Sequence, residues 1–170
     1  LCCRYAQAHT LTLAVITKSR EPQTQLVEQE YYKRLASGLP LHFVYADKTQ
    51  RELDSYLAGL ASGLVIHPAS TLGFELLAAG KKVVLGATVH PELIQAWGIK
   101  HYVDALPDSV KLKAESNETD FFQHCDALRA MPDSQYRELT RKAAQSLVSM
   151  PADGRPHEKV KALISDWLKP

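Results

Sequence analysis

Gly63-Leu64-Val65-Ile66-His67-Pro68-Ala69-Ser70-Thr71-Leu72-Gly73-Phe74-Glu75-Leu76-Leu77-Ala78-Ala79-Gly80-Lys81-Lys82-Val83-Val84-Leu85 reads as a strand, a turn, a short helix and a second strand in direct succession. Gly63-Leu64-Val65-Ile66 is short and apolar throughout, the pattern of a strand covered on both faces. Ser70 and Thr71 are helix-capping residue types, Gly80 stops the helix, and Lys82-Val83-Val84-Leu85 predicts the next strand.

The same alternation extends outward. Upstream, Leu11-Thr12-Leu13-Ala14-Val15-Ile16 predicts a strand. Pro22 suits the first turn of a helix, where its missing N–H costs nothing. From there Leu26, Val27, Tyr31 and Leu35 recur at helical spacing until Gly38 and Pro40. Leu41-His42-Phe43-Val44-Tyr45 predicts another strand. Thr49 with Glu52 forms a capping-box pattern ahead of a helix carrying Leu53, Tyr56, Leu57 and Leu60 on one face. Downstream, a helix over about 92–97 leads to a weak fifth strand over 101–105. Beyond Leu112 only helices are predicted, over 119–130, 134–149 and 157–169. The last carries an apolar stripe of Val160, Leu163, Ile164, Trp167 and Leu168.

Strands alternating with helices specify an α/β fold, a single doubly wound, Rossmann-like parallel sheet of about five strands with helices on both faces. The expected organisation is one domain over 1–170, with the sheet over about 11–106 and a helical tail over about 117–170.

Composition agrees with a globular domain. The chain has 170 residues, 45% apolar and 23% charged, and a formal charge of +1. That balance excludes a disordered tail, a collagen-like repeat and a disulfide scaffold, and it offers no whole-molecule attraction to nucleic acid. The longest apolar-rich stretch, 56–66, is interrupted by Gly59, Ser62 and Gly63 and falls short of the roughly 18 residues needed to span a bilayer. Arg4 is followed by the polar run 7–10 rather than by a signal-peptide core. Cys2, Cys3 and Cys125 form neither a Cys-x-x-Cys pair nor a disulfide framework, so reduced thiols in the cytoplasm are expected.

His9, His42, His101, His124 and His157 are scattered without metal-ligand spacing, and no metal site is expected. Trp97 and Trp167 read as core residues. The chain lacks Gly-x-Gly-x-x-Gly, a Walker A loop and a Gly-x-Ser-x-Gly elbow, which argues against a dinucleotide oxidoreductase, a P-loop ATPase and an α/β-hydrolase.

In an open parallel sheet, ligands bind beyond the carboxyl ends of the strands. Three segments fall there. In the first, Ser70 or Thr71 caps the helix, and its first N–H groups and dipole favour an anion such as phosphate. Gly73 would let a ligand approach the backbone. Glu75 lies too far along to close a capping box, and its carboxylate would suit a ribose diol. His67, ending the strand, is either a packed histidine or a ligand contact. In the second, Thr17-Lys18-Ser19-Arg20 sets two cations and two hydroxyls at a strand end, with Arg20 offering a fork for two oxygens. The third, Gly86-Ala87-Thr88-Val89-His90-Pro91-Glu92, places His90 where a phosphate or sugar could reach it. For each, an ordinary helix start or solvated loop is the competing explanation.

The stretch from Ser70 to Val83 resembles the nucleotide-sugar-binding half of GT-B glycosyltransferases. There a strand and a Ser/Thr-rich turn precede Gly-x-Glu, a short helix of small residues, and Gly-Lys-x-Val into the next strand. The resemblance extends in order from Leu11 to about Leu106. More narrowly, 70–86 followed by Ala96-Trp97-Gly98 is similar to bacterial Kdo transferases of capsule and lipopolysaccharide assembly, which use CMP-Kdo. Where that group has a Lys-Pro-His-Pro-like stretch, this chain has Lys18-Ser19-Arg20-Glu21-Pro22.

The resemblance implies that Ser70 and Thr71, with Lys18 and Arg20, hold the donor phosphate, and that Glu75 binds the ribose. Preorganised donors would stabilise the departing nucleotide without a metal, and no Asp-x-Asp is present. No cofactor is implied beyond the nucleotide-sugar substrate. Because GT-B catalysis uses a cleft between two domains, the expected partners are a second domain or subunit and a glycan acceptor. Peripheral membrane association would come through that partner, on the cytoplasmic side. Two alternatives keep the ligand: a non-catalytic nucleotide-sugar-binding or regulatory module, and a sugar-nucleotide epimerase-like domain.

Overall fold

The computed structural model describes residues 1–17, 21–45, 54–86, 91–96, 98, 100–113 and 116–147. Helix α1, Cys2–Ala8, precedes strand β1, Leu13–Thr17. Then come α2 (Pro22–Ala36), β2 (Leu41–Tyr45), α3 (Asp54–Ala61), β3 (Val65–His67), α4 (Thr71–Ala78) and β4 (Val83–Leu85). Helices α5 (Pro91–Ala96) and α6 (Lys100–Ala105), a 3-10 turn at Asp108–Val110, α7 (Glu118–Ala130) and α8 (Asp133–Leu147) complete the described chain.

The expected single sheet of about five strands is not what forms. The strands make two parallel pairs, β1 with β2 and β3 with β4, and helices dominate the rest. In the first pair Leu13 faces Leu41 and Thr17 faces Tyr45; in the second Val65 faces Val83 and His67 faces Leu85. A run of apolar residues specifies that a strand exists, whereas its neighbour is chosen by contacts distant in sequence. Burial also differs from expectation. Val83, Val84 and Leu85 are buried on both faces of β4, while Val65 and Ile66 in β3 are only half-buried.

The predicted fifth strand over 101–105 is a correction of type as well as of pairing, because those residues lie in α6. Val103 of α6 is buried, as is Leu106 just past the helix end, whose amide donates to the Val103 carbonyl at 3.2 Å. Lys100 pairs with Asp104 one turn on, at 2.5 Å. The position beside β4 is taken instead by Lys111, in a single parallel bridge to Leu85, with the Leu112 amide donating to the Leu85 carbonyl at 3.3 Å.

The tail helices are part of the core. Phe121, Cys125 and Leu128 of α7 and Tyr136 and Ala143 of α8 cluster with Phe74, Leu76, Leu77 and all of β4. Helix α7 opens on a reciprocal capping box: the Asp120 amide donates to the Asn117 side chain at 3.0 Å, and the Asn117 amide to Asp120 at 3.1 Å. Helix α8 is tied to β4 by the Val83 amide, which donates to the buried Tyr136 hydroxyl at 3.0 Å. Lys82 reaches Asp133 at 3.2 Å and the Arg129 carbonyl at 3.0 Å. Gly80 ends α4 in a left-handed conformation (φ 81°) that side-chain-bearing residues disfavour.

Sequence reading passed over α1, whose Tyr5 is buried against Phe121 and Phe122 and donates to Asp126 at 2.7 Å. The apolar stripes read on α2 and α3 do not seek this core. Leu26 and Val27 are 62% and 69% exposed, and Tyr31, Leu35, Leu57 and Leu60 are exposed too. Helix α3 meets α4 through Gly59, on which a Cβ would stand 2.4 Å from Leu76 Cδ1. Among the described residues no helix is long and apolar enough to cross a membrane.

Candidate functional site: the start of helix α4

Strand β3 ends at His67, and two residues of bend carry the chain to Ser70, the N-cap of α4, in extended conformation (φ −81°, ψ 137°). The Ser70 carbonyl accepts from the Gly73 amide at 2.9 Å and from the Phe74 amide at 3.3 Å, which starts the helix. The Ser70 amide turns back and donates to His67 Nδ1 at 2.9 Å. Meanwhile the Gly86 amide donates to the His67 carbonyl at 2.8 Å, so the carboxyl ends of β3 and β4 are joined beside the turn.

The ring of His67 thus does structural work. It is buried, packs edge-on against Phe74 with centroids 5.2 Å apart, and burial lowers its pKa from 6.5 to about 4. At neutral pH it is uncharged. Because Nδ1 accepts, the ring proton sits on Nε2.

Gly73 is placed by this ring. A Cβ there would come within 2.4 Å of His67 Cγ and Cδ2, so the space beside Gly73 is filled by imidazole rather than open to a ligand. Gly73→Ala is expected to cost about 1–3 kcal/mol by overpacking, measured as a lowered urea midpoint with an unchanged m-value. An unchanged midpoint would show that the ring gives way freely.

The Ser70 hydroxyl makes no capping hydrogen bond to its own helix. Ser70 is half-buried and Thr71 is exposed. The amides of Thr71 and Leu72, in the first turn, have no intrahelical acceptor. Hydroxyls and N–H groups therefore gather at the positive end of the helix dipole, an arrangement suited to an oxyanion. One turn on, the half-buried Glu75 carboxylate accepts a hydrogen bond from the Tyr56 hydroxyl of α3. This contact raises the pKa of Tyr56, with burial adding to the effect.

The structure thus brings together Ser70, Thr71, Gly73, Glu75 and His67 of the expected set. Lys18, Arg20 and His90 lie outside the described residues, as do Trp97, the Thr49–Glu52 pattern and the helix expected over 157–169. Thr17, at the carboxyl end of β1, is buried with its hydroxyl unpartnered. Tyr56 was missed as a polar participant, since its place in an apolar stripe signalled packing. Among the described residues no group of three or more His, Cys, Asp or Glu side chains could hold a metal ion.

No protein-family model, curated protein or solved structure matches this chain.

Proposed function

We propose that the chain holds the nucleotide-sugar donor of a glycosyltransferase, with the phosphate at the start of α4 and the ribose at Glu75. This corresponds to the donor half of a GT-B enzyme, with CMP-Kdo as one candidate donor. The observation that carries the reading is the Ser70 hydroxyl, left out of helix capping beside Thr71 and the Thr71 and Leu72 amides, which have no intrahelical acceptor. An ordinary helix start would use that hydroxyl to satisfy an N–H of its own first turn. The reading rests on this turn and not on a doubly wound sheet.

A second domain would bring the glycan acceptor and the general base. Two observations support that division. His67 is weakly basic and committed to the Ser70 amide. The exposed apolar residues of α2 also form the kind of surface that marks a protein contact. The first observation equally favours a non-catalytic module that binds the same ligand. Sugar transfer assayed with the chain alone and with its partner domain separates the two.

Calorimetric titration with CMP, UDP and GDP tests the binding itself. One of these is expected to bind, and Glu75→Ala to weaken it by about 10- to 100-fold, the worth of hydrogen bonds to a charged group. Failure of all three to bind, or affinity indifferent to Glu75→Ala, would refute the assignment.

A further inference from the structure

We propose that Tyr56 is a positioning residue that sets the Glu75 carboxylate for a vicinal diol and so makes the site selective for ribonucleotides over 2′-deoxyribonucleotides. The inference rests on the reading of the α4 start given above and deepens it.

Two contacts build the pair. Gly59 lets α3 lie directly on α4, since any side chain there would strike the buried Leu76. Tyr56 precedes Gly59 by three residues, and Glu75 immediately precedes Leu76, so the close approach brings phenol and carboxylate together. The phenol then donates to Glu75 Oε2, while Oε1 accepts from no described residue.

The chemistry follows from which groups are committed. A carboxylate has about four acceptor positions, and the phenol occupies one of them. A free glutamate of this length samples several rotamers, and ordering it on binding would cost affinity. Anchoring Oε2 removes part of that cost in advance and leaves Oε1 for a hydroxyl donor. Oε2 keeps a further acceptor position beside the phenol and can accept a second hydroxyl. Pair and diol therefore match as two acceptors facing two donors. A 2′-deoxyribose supplies only one donor and leaves part of the arrangement unused.

The test is calorimetric titration of the full chain with CMP and 2′-deoxy-CMP, and likewise with the uridine and guanosine pairs. The unaltered chain is expected to favour the ribonucleotide by about tenfold. Tyr56→Phe is expected to erase most of that preference, with an unchanged circular dichroism spectrum and urea midpoint reporting an intact fold. Glu75→Gln should erase it as well, and the double variant should lose no more than either single one, as expected for groups acting as a unit. Free ribose or a hexose binding as well as the nucleotide would show a general sugar site and overturn the inference. Nucleotide binding with discrimination unchanged in Tyr56→Phe, or lowered equally for both ligands, overturns it while leaving the donor reading intact. Absence of nucleotide binding by the unaltered chain overturns both.

Discussion

Tyr136→Ala is expected to lower stability by about 5 kcal/mol, which for a chain of this size is a fall in Tm of roughly 10–20 °C. Two losses combine. Truncating a fully buried aromatic ring leaves a cavity in the core cluster that also holds Leu76, Leu77, Val83 and Leu128. That alone costs about 3–5 kcal/mol. The Val83 amide, buried in β4, also loses its acceptor. Tyr136→Phe separates the contributions, because it keeps the ring and removes only the hydroxyl. It should cost about 1–3 kcal/mol, the penalty of an unsatisfied buried N–H. Equilibrium denaturation of the three proteins checks both values. Equal stability of Tyr136→Phe and the parent would mean that the amide finds water or another acceptor.

Acid should weaken the fold through His67 in a window set by its two pKa values. In the unfolded chain the ring takes a proton near pH 6.5, and in the fold only near 4. Between these values the unfolded state binds more protons, so stability falls as pH drops through the window. Below about 4 both states are protonated and this group adds no further loss. The contribution of His67 is roughly 3 kcal/mol. His124, whose pKa burial also lowers, adds to the total.

His67→Asn isolates the His67 share. Its side-chain oxygen can accept the Ser70 amide in place of Nδ1 and does not titrate. The variant should be less stable than the parent at pH 8, through lost ring volume, and the gap should narrow or reverse by pH 4. Parallel stability-versus-pH curves would show that His67 is not the acid-sensitive group. Protonation also turns Nδ1 into a donor and breaks its bond to the Ser70 amide, so the proposed nucleotide binding at α4 should decline only as pH falls through about 4, where the folded ring titrates.

The candidate site was legible where its features were local. Ser70, Thr71 and Glu75 stand within one short segment, and capping types at a strand-to-helix junction give their placement without knowledge of the fold. The distant partners were not legible. Tyr56 is read from sequence as one more apolar residue of an amphipathic stripe, and only the approach of α3 to α4 at Gly59 turns its hydroxyl toward Glu75. Gly73 carries the same lesson. Its lack of a side chain suggests room for a ligand, yet the missing Cβ makes room for the His67 ring. The stretch 101–105 misled because valine and tyrosine favour strands, a weak preference that packing of a helix with Val103 buried overrides.

By itself the sequence determined the order of most elements, the helix stops at Gly38 and Gly80, and the polar cluster at the start of α4. Each of these is set by backbone conformation and hydrogen bonding among near neighbours. The tertiary structure alone decided that the strands pair two by two and that α7 and α8 close over β4 rather than trail from it. It also decided that the apolar stripes of α2 and α3 stay at the surface. Those outcomes depend on which distant surfaces bury one another, and hydrophobic burial is non-directional, so periodicity shows that a face is apolar without showing what covers it.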